Sequence, residues 1–99
     1  MVPLLHTRMN DGSRQFGELP QRVLWYEMRD HLLRLPGVKL TSFVCDGVTE
    51  AWIDFTFGGH VFSINDQFGD YWFFVSDPEC PESLLRSVLD HFEQILATT

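Results

Sequence analysis

The sequence predicts an α+β fold: a two-layer α/β sandwich in which a four-stranded antiparallel meander is flanked by an N-terminal and a C-terminal helix, in the order α-β-β-β-β-α. Three observations predict it. Apolar residues recur at helical spacing over residues 20–35 and again from Leu84 to Leu96. Between these stretches, runs rich in β-branched and aromatic residues alternate at period two. Three turn signals divide the runs, and the registers they set agree on one apolar face.

Taken in order, residues 1–18 have no consistent period and contain the turn signal Asn10-Asp11-Gly12-Ser13. They read as a loosely ordered arm carrying Leu4, Leu5, Met9 and Phe16, with residues 19–99 as the single domain. Pro20 suits the first position of a helix. Leu24, Met28, Leu32 and Leu35 then form its apolar stripe, widened by Val23, Trp25 and His31, until Pro36-Gly37 ends it. Asp46-Gly47 is a type I′ hairpin signal. It sets Cys45 opposite Val48, puts Leu40–Ile53 and Val38–Phe55 on one face, and puts Phe43–Glu50, Thr41–Trp52 and Lys39–Asp54 on the other. Gly58-Gly59 is the next turn and pairs Phe57–His60, Phe55–Phe62 and Ile53–Ile64 on the first face. A four-residue loop, Asp66-Gln67-Phe68-Gly69, then sets Ile64–Tyr71, Phe62–Phe73 and His60–Val75 on that face again. Asp77-Pro78 and Cys80-Pro81-Glu82 open the last helix, whose stripe of Leu84, Leu85, Val88, Phe92, Ile95 and Leu96 runs to Ala97.

Composition bounds the function. Ninety-nine residues make one domain, and 44% hydrophobic content can fill a core without disulfides or metal. The net charge is −7. Its source is local: between Lys39 and Arg86 there is no lysine or arginine, only Asp46, Glu50, Asp54, Asp66, Asp70, Asp77, Glu79 and Glu82. Nucleic acid and anionic membrane surfaces, which both recruit basic residues, are therefore disfavoured as partners. A basic protein partner, or a second copy forming a homodimer, fits better. The start of the chain lacks the basic and apolar regions of a signal peptide, and the longest apolar run, Tyr71 to Val75, is too short to span a bilayer. Cys45 and Cys80 have no Cys-x-x-Cys spacing, so a reduced, cytoplasmic protein is expected.

With both helices on one side, the other sheet face presents Phe43, Trp52, Val61, Trp72 and Phe74 with Glu50 and Asp54. Such a patch reads as a binding surface, because monomers seldom leave large apolar areas bare. It can be covered by the N-terminal arm, by a second copy (face to face or through a Tyr71–Ser76 edge), or by a foreign partner. The reading is a non-enzymatic acidic binding protein, expected as a homodimer, of chaperone, inhibitor or immunity type, with a basic protein as the further partner. The competing reading is a small-molecule or metal site around His60 with Asp66 and Asp70. Asp54, in this register, points away from His60. The Asn65–Asp70 loop lacks the ligand alternation of a calcium loop. His31 and His91 sit on helix stripes, where structural hydrogen bonding is the commoner role. Cys80, at a helix entry, is the one thiol with a physical reason for reactivity, but a weakly reactive, functionally silent thiol is the expected reading. No phosphate loop, nucleophile elbow, zinc spacing or dinucleotide fingerprint is present, and the residues call for no cofactor.

The stretch from Trp52-Ile53-Asp54-Phe55-Thr56-Phe57-Gly58-Gly59-His60 to Asp77-Pro78-Glu79-Cys80-Pro81 resembles a family of small bacterial proteins of the kind found in hypothetical genes and mobile gene cassettes. The resemblance covers about residues 48–97 and implies no particular activity. The helix–meander–helix order and acidity are similar to frataxin in outline, but the first helix carries Arg22, Arg29 and Arg34 instead of frataxin's acidic ridge. Small acidic dimeric secretion chaperones share helices and a short sheet, in a different order.

Overall fold

A computed structural model describes residues 3–45, 51–67 and 69–96. The chain forms strands β1 (Thr7–Arg8) and β2 (Arg14–Pro20), helix α1 (Trp25–Leu32), strands β3 (Lys39–Cys45), β4 (Ala51–Phe57), β5 (His60–Gln67) and β6 (Asp70–Val75), and helix α2 (Glu82–Leu96). One open antiparallel sheet results, with strand order β1-β2-β6-β5-β4-β3. The α+β class and the β3–β6 meander agree with the sequence. Among the described residues the sheet has six strands, however, because the segment read as an arm supplies two.

β2 lies against β6, from Arg14–Val75 to Pro20–Asp70. Consequently the Tyr71–Ser76 stretch is no edge, and β6 sits between β2 and β5. Pro20 closes this strand instead of opening a helix. α1 starts at Trp25, with Leu24 as an N-cap that lends no side-chain bond. Its end is as expected: turns through Leu35 lead to Gly37, whose φ of 88° is the left-handed region that glycine tolerates.

The β4–β5 register matches the Gly58-Gly59 reading pair for pair, from Trp52–Asn65 to Phe57–His60. The next hairpin is tighter than expected. Gln67 pairs with Asp70 and Phe62 with Val75, a slip of two residues that leaves every side chain on its expected face. Phe68, within the expected four-residue loop, lies outside the described residues. The β3–β4 ladder departs more. Lys39 pairs with Thr56 and Leu40 with Phe55, but a bulge at Thr41 then sets Ser42 against Asp54, Phe43 against Ile53 and Val44 against Trp52. Cys45 pairs with Ala51, not Val48, and the Asp46-Gly47 turn is outside the described residues.

Both helices cover the inner face. In α2, Phe92 meets Phe73 with ring centroids 5.3 Å apart, and Leu89 overlies Gly17. In α1, Trp25 meets the edge of Tyr71 at 4.8 Å, and the Tyr71 hydroxyl donates to the Val23 carbonyl. Phe16, Ile53, Phe55, Phe62, Ile64, Phe73 and Val75 complete the buried core. The two helices are joined by a reciprocal contact. His31 Nε2 bonds the His91 carbonyl at 2.7 Å, His91 Nε2 bonds the His31 carbonyl at 2.6 Å, and the rings stack at 3.9 Å. Carbonyl oxygens only accept, so both rings must carry their proton on Nε2.

Burial holds the His91 pKa below its ordinary 6.5, His31 and Arg34 add to the depression, and the bond to the His31 carbonyl opposes it. The unfolded chain therefore takes up a proton at His91 more readily than the folded one, and stability falls as pH drops below about 6.5. Melting temperature measured from pH 7.5 down to 5 should decline more steeply for the parent than for His91→Gln. Parallel slopes would mean that the stacked pair carries no part of the pH dependence.

Candidate functional site

On the outer face the register aligns side chains in rows across the strands. One row reads Val44, Trp52, Asn65, Trp72, Glu18, and the row beside it reads Ser42, Asp54, Ser63, Phe74, Gln15. Trp52, Asn65, Trp72 and Phe74 are half-buried, whereas Val61 is exposed. The indole of Trp72 and the ring of Phe74 tilt towards each other at 6.4 Å.

These rings floor a groove of about 640 Å³, a size typical of ligand sites. Ser63, Asn65 and Ser76 edge the floor, and Met9, Asp11 and Ser13 from the β1–β2 hairpin form a wall. The wall is tied internally. Asp11 Oδ1 accepts from Ser13 Oγ at 2.6 Å and from Ser13 N at 2.9 Å, which lowers the Asp11 pKa. Met9 N and Gly12 N close the hairpin onto Ser13 and Met9 carbonyls. Arg14, buried at its base, donates from Nε to the Leu5 carbonyl at 2.8 Å. The arm thus borders the aromatic face without closing it.

Charge on this face is negative. Asp54 accepts the Ser63 hydroxyl at 2.6 Å. Glu18 shares a hydrogen bond with Asp70, which raises its pKa; burial and the Asp70 charge add to the rise, and a bond with the Trp72 indole opposes it. Among the described residues, no lysine or arginine lines the groove. Lys39 reaches this face, but from the far-edge strand β3.

Of the residues named from sequence, Trp52, Asp54, Val61, Trp72 and Phe74 share the outer face as expected. Phe43 does not. The Thr41 bulge turns it to the inner side opposite Ile53, where its ring meets Tyr26 at 5.7 Å and the Arg29 guanidinium at 5.2 Å. Glu50 lies outside the described residues. His60, Asp66 and Asp70 do not converge. His60 stands by the Gly58–Gly59 turn, with Nδ1 3.8 Å from Asp77 Oδ2, while Asp66 and Asp70 lie at the other end of the strands. Six residues of strand separate His60 from Asp66, roughly 20 Å. Among the described residues, no group of three His, Cys, Asp or Glu side chains is placed to hold a metal ion.

Cys80 is buried, and burial pushes its thiol pKa up, with Asp77 adding to the rise and Arg14 opposing it. Desolvation outweighs whatever activation its place at a helix entry would give. Glu79 and Glu82 meet Arg8 at 4.0 Å and His6 at 3.4 Å, tying β1 to the start of α2. Sequence reasoning missed the hairpin wall and Asn65. Asn65 carries a partial signal: the Gly58-Gly59 register sets this carboxamide opposite Trp52 on the outer face, while its second indole neighbour, Trp72, comes from the tighter β5–β6 hairpin. Comparison with protein-family models, curated proteins and solved structures gave no match to the chain. No helix among the described residues is long and apolar enough to cross a membrane.

Proposed function

We propose that this chain is a non-enzymatic binding protein whose outer sheet face receives a basic segment of a partner protein. The observation that carries this reading is the groove itself, with an aromatic floor of Trp72 and Phe74, Asp11 in its wall, Asp54 and Glu18 on the same face and, among the described residues, no cation lining it. Aromatic rings are the residues on which interface energy concentrates, and complementary charge speeds encounter and rejects anionic partners. A homodimer is the second reading. The observation favouring it is that, among the described residues, β3 has no strand on its far side, which leaves a row of backbone groups open to pairing.

A short peptide rich in arginine and lysine, titrated into the parent, should change tryptophan emission, and its glutamate counterpart should not. Trp52→Ser combined with Trp72→Ser should abolish that binding and leave the far-UV circular dichroism intact. Equal binding of both peptides, or full binding by the double variant, would remove the outer face from this role.

A further inference from the structure

We infer that the groove receives an arginine side chain of the partner, its guanidinium laid on Trp72 beside Asn65, in the cross-strand row that Trp52 continues. This rests on the reading of the outer face as the binding surface and adds the chemistry of the group that enters it. Three features converge on one position. Trp52 pairs with Asn65 and Asn65 with Trp72, so one carboxamide is flanked by two indoles in a single cross-strand row, at the close spacing of direct neighbours. Among the described residues Asn65 Oδ1 has no hydrogen-bond partner, and it is turned out of reach of solvent, so the carboxamide must rotate for that oxygen to meet a donor in the groove. An acceptor in that condition is uncommon in a native fold and gains from any donor brought to it. The groove's own carboxylate is Asp11, Asp54 stands in the adjoining row and Glu18 ends the row that holds Asn65, and among the described residues no lysine or arginine lines the groove.

A guanidinium meets all three conditions. It is planar and stacks on aromatic faces, it carries five N–H donors in a fixed fork, and it is weakly hydrated for a cation. Its aliphatic stem suits the apolar Met9 and Phe74 sides of the groove. An ammonium brings charge but no plane. A neutral ring brings the plane but leaves the Asn65 oxygen unmet.

The test uses the full chain and four peptides Gly-Ser-Gly-Xaa-Gly-Ser-Gly, in which Xaa is arginine, lysine, citrulline or glutamate. Binding is followed by amide and indole N–H chemical shifts. The arginine peptide should move the Asn65 side-chain amide and the Trp52 and Trp72 indole signals, binding about tenfold more tightly than its citrulline counterpart, which keeps the shape without the charge. Asn65→Leu should weaken the arginine peptide selectively, and Asn65→Asp, near in size and now anionic, should strengthen it. Equal affinity for arginine and citrulline, or arginine-induced shifts away from this row, would overturn the assignment. Lysine binding as tightly as arginine at the same signals would remove the guanidinium but keep the acidic aromatic surface. Silence from all four peptides would remove both.

Discussion

Replacing Phe16 by alanine is expected to lower the unfolding free energy by about 3–5 kcal/mol, the range for emptying a buried aromatic site. Phe16 is fully buried, and its ring meets Phe62 at 5.7 Å and Phe73 at 6.2 Å. For a domain of this size such a loss lowers the melting temperature by more than about 12 °C. The consequence reaches the groove, because Phe16 pins β2 and thereby the hairpin that carries Met9, Asp11 and Ser13. Thermal unfolding checks the prediction. A loose arm would tolerate the change, so a loss under about 1 kcal/mol would show that β2 is not part of the cooperative core.

Gly17→Ala is expected to cost about 1–3 kcal/mol through overpacking, although it adds one methyl group. A Cβ there would come to 2.5 Å from Leu89 Cδ1, and Leu89 is itself fully buried, with little room to retreat. Backbone strain plays no part, since the positive-φ glycines of the chain are elsewhere. Leu89→Ala on its own opens a cavity and should destabilise by about 2–5 kcal/mol. In that background the new methyl group has space, and Gly17→Ala should then be close to neutral. Denaturant unfolding of the four species closes the cycle. Additive costs would mean that β2 and α2 do not meet at this point.

The legible and illegible parts of the fold separate on one physical rule. Strand side chains alternate with period two, so a turn misread by two residues does no harm, whereas one extra residue flips everything beyond it. The β5–β6 loop was two residues shorter than the turn chemistry suggested, yet Ile64, Tyr71, Phe73 and Val75 stayed inside. The Thr41 bulge moved Phe43 from the expected binding face to the core side, while the same strand kept Leu40 in place.

β2 escaped notice for the same reason. Its ladder is irregular between Gln15 and Gly17, so Arg14, Phe16, Gly17 and Leu19 are all buried, and no alternation survives. A charged residue and a glycine among the inward positions hide it further. The isolated Gly17 was the available clue, since glycine within a strand marks a bulge or a close approach, and here it marks both. The face holding Trp52, Trp72 and Phe74 was readable because the Gly58-Gly59 turn fixes β4 against β5, and the slip at the β5–β6 loop is an even number of residues. Its conversion from a flat patch into a groove was not, because the wall comes from a hairpin whose pattern the bulge had erased.

The outer face is tested most directly by mapping backbone amide shifts of the parent chain while a basic peptide is added. Changes confined to the strands around Ser63, Asn65, Trp72 and Phe74, with the Met9–Ser13 hairpin, are the expected result. Changes centred instead on the exposed Tyr26 and Leu33 of the α1 side would contradict it and move the binding surface to the opposite layer of the molecule.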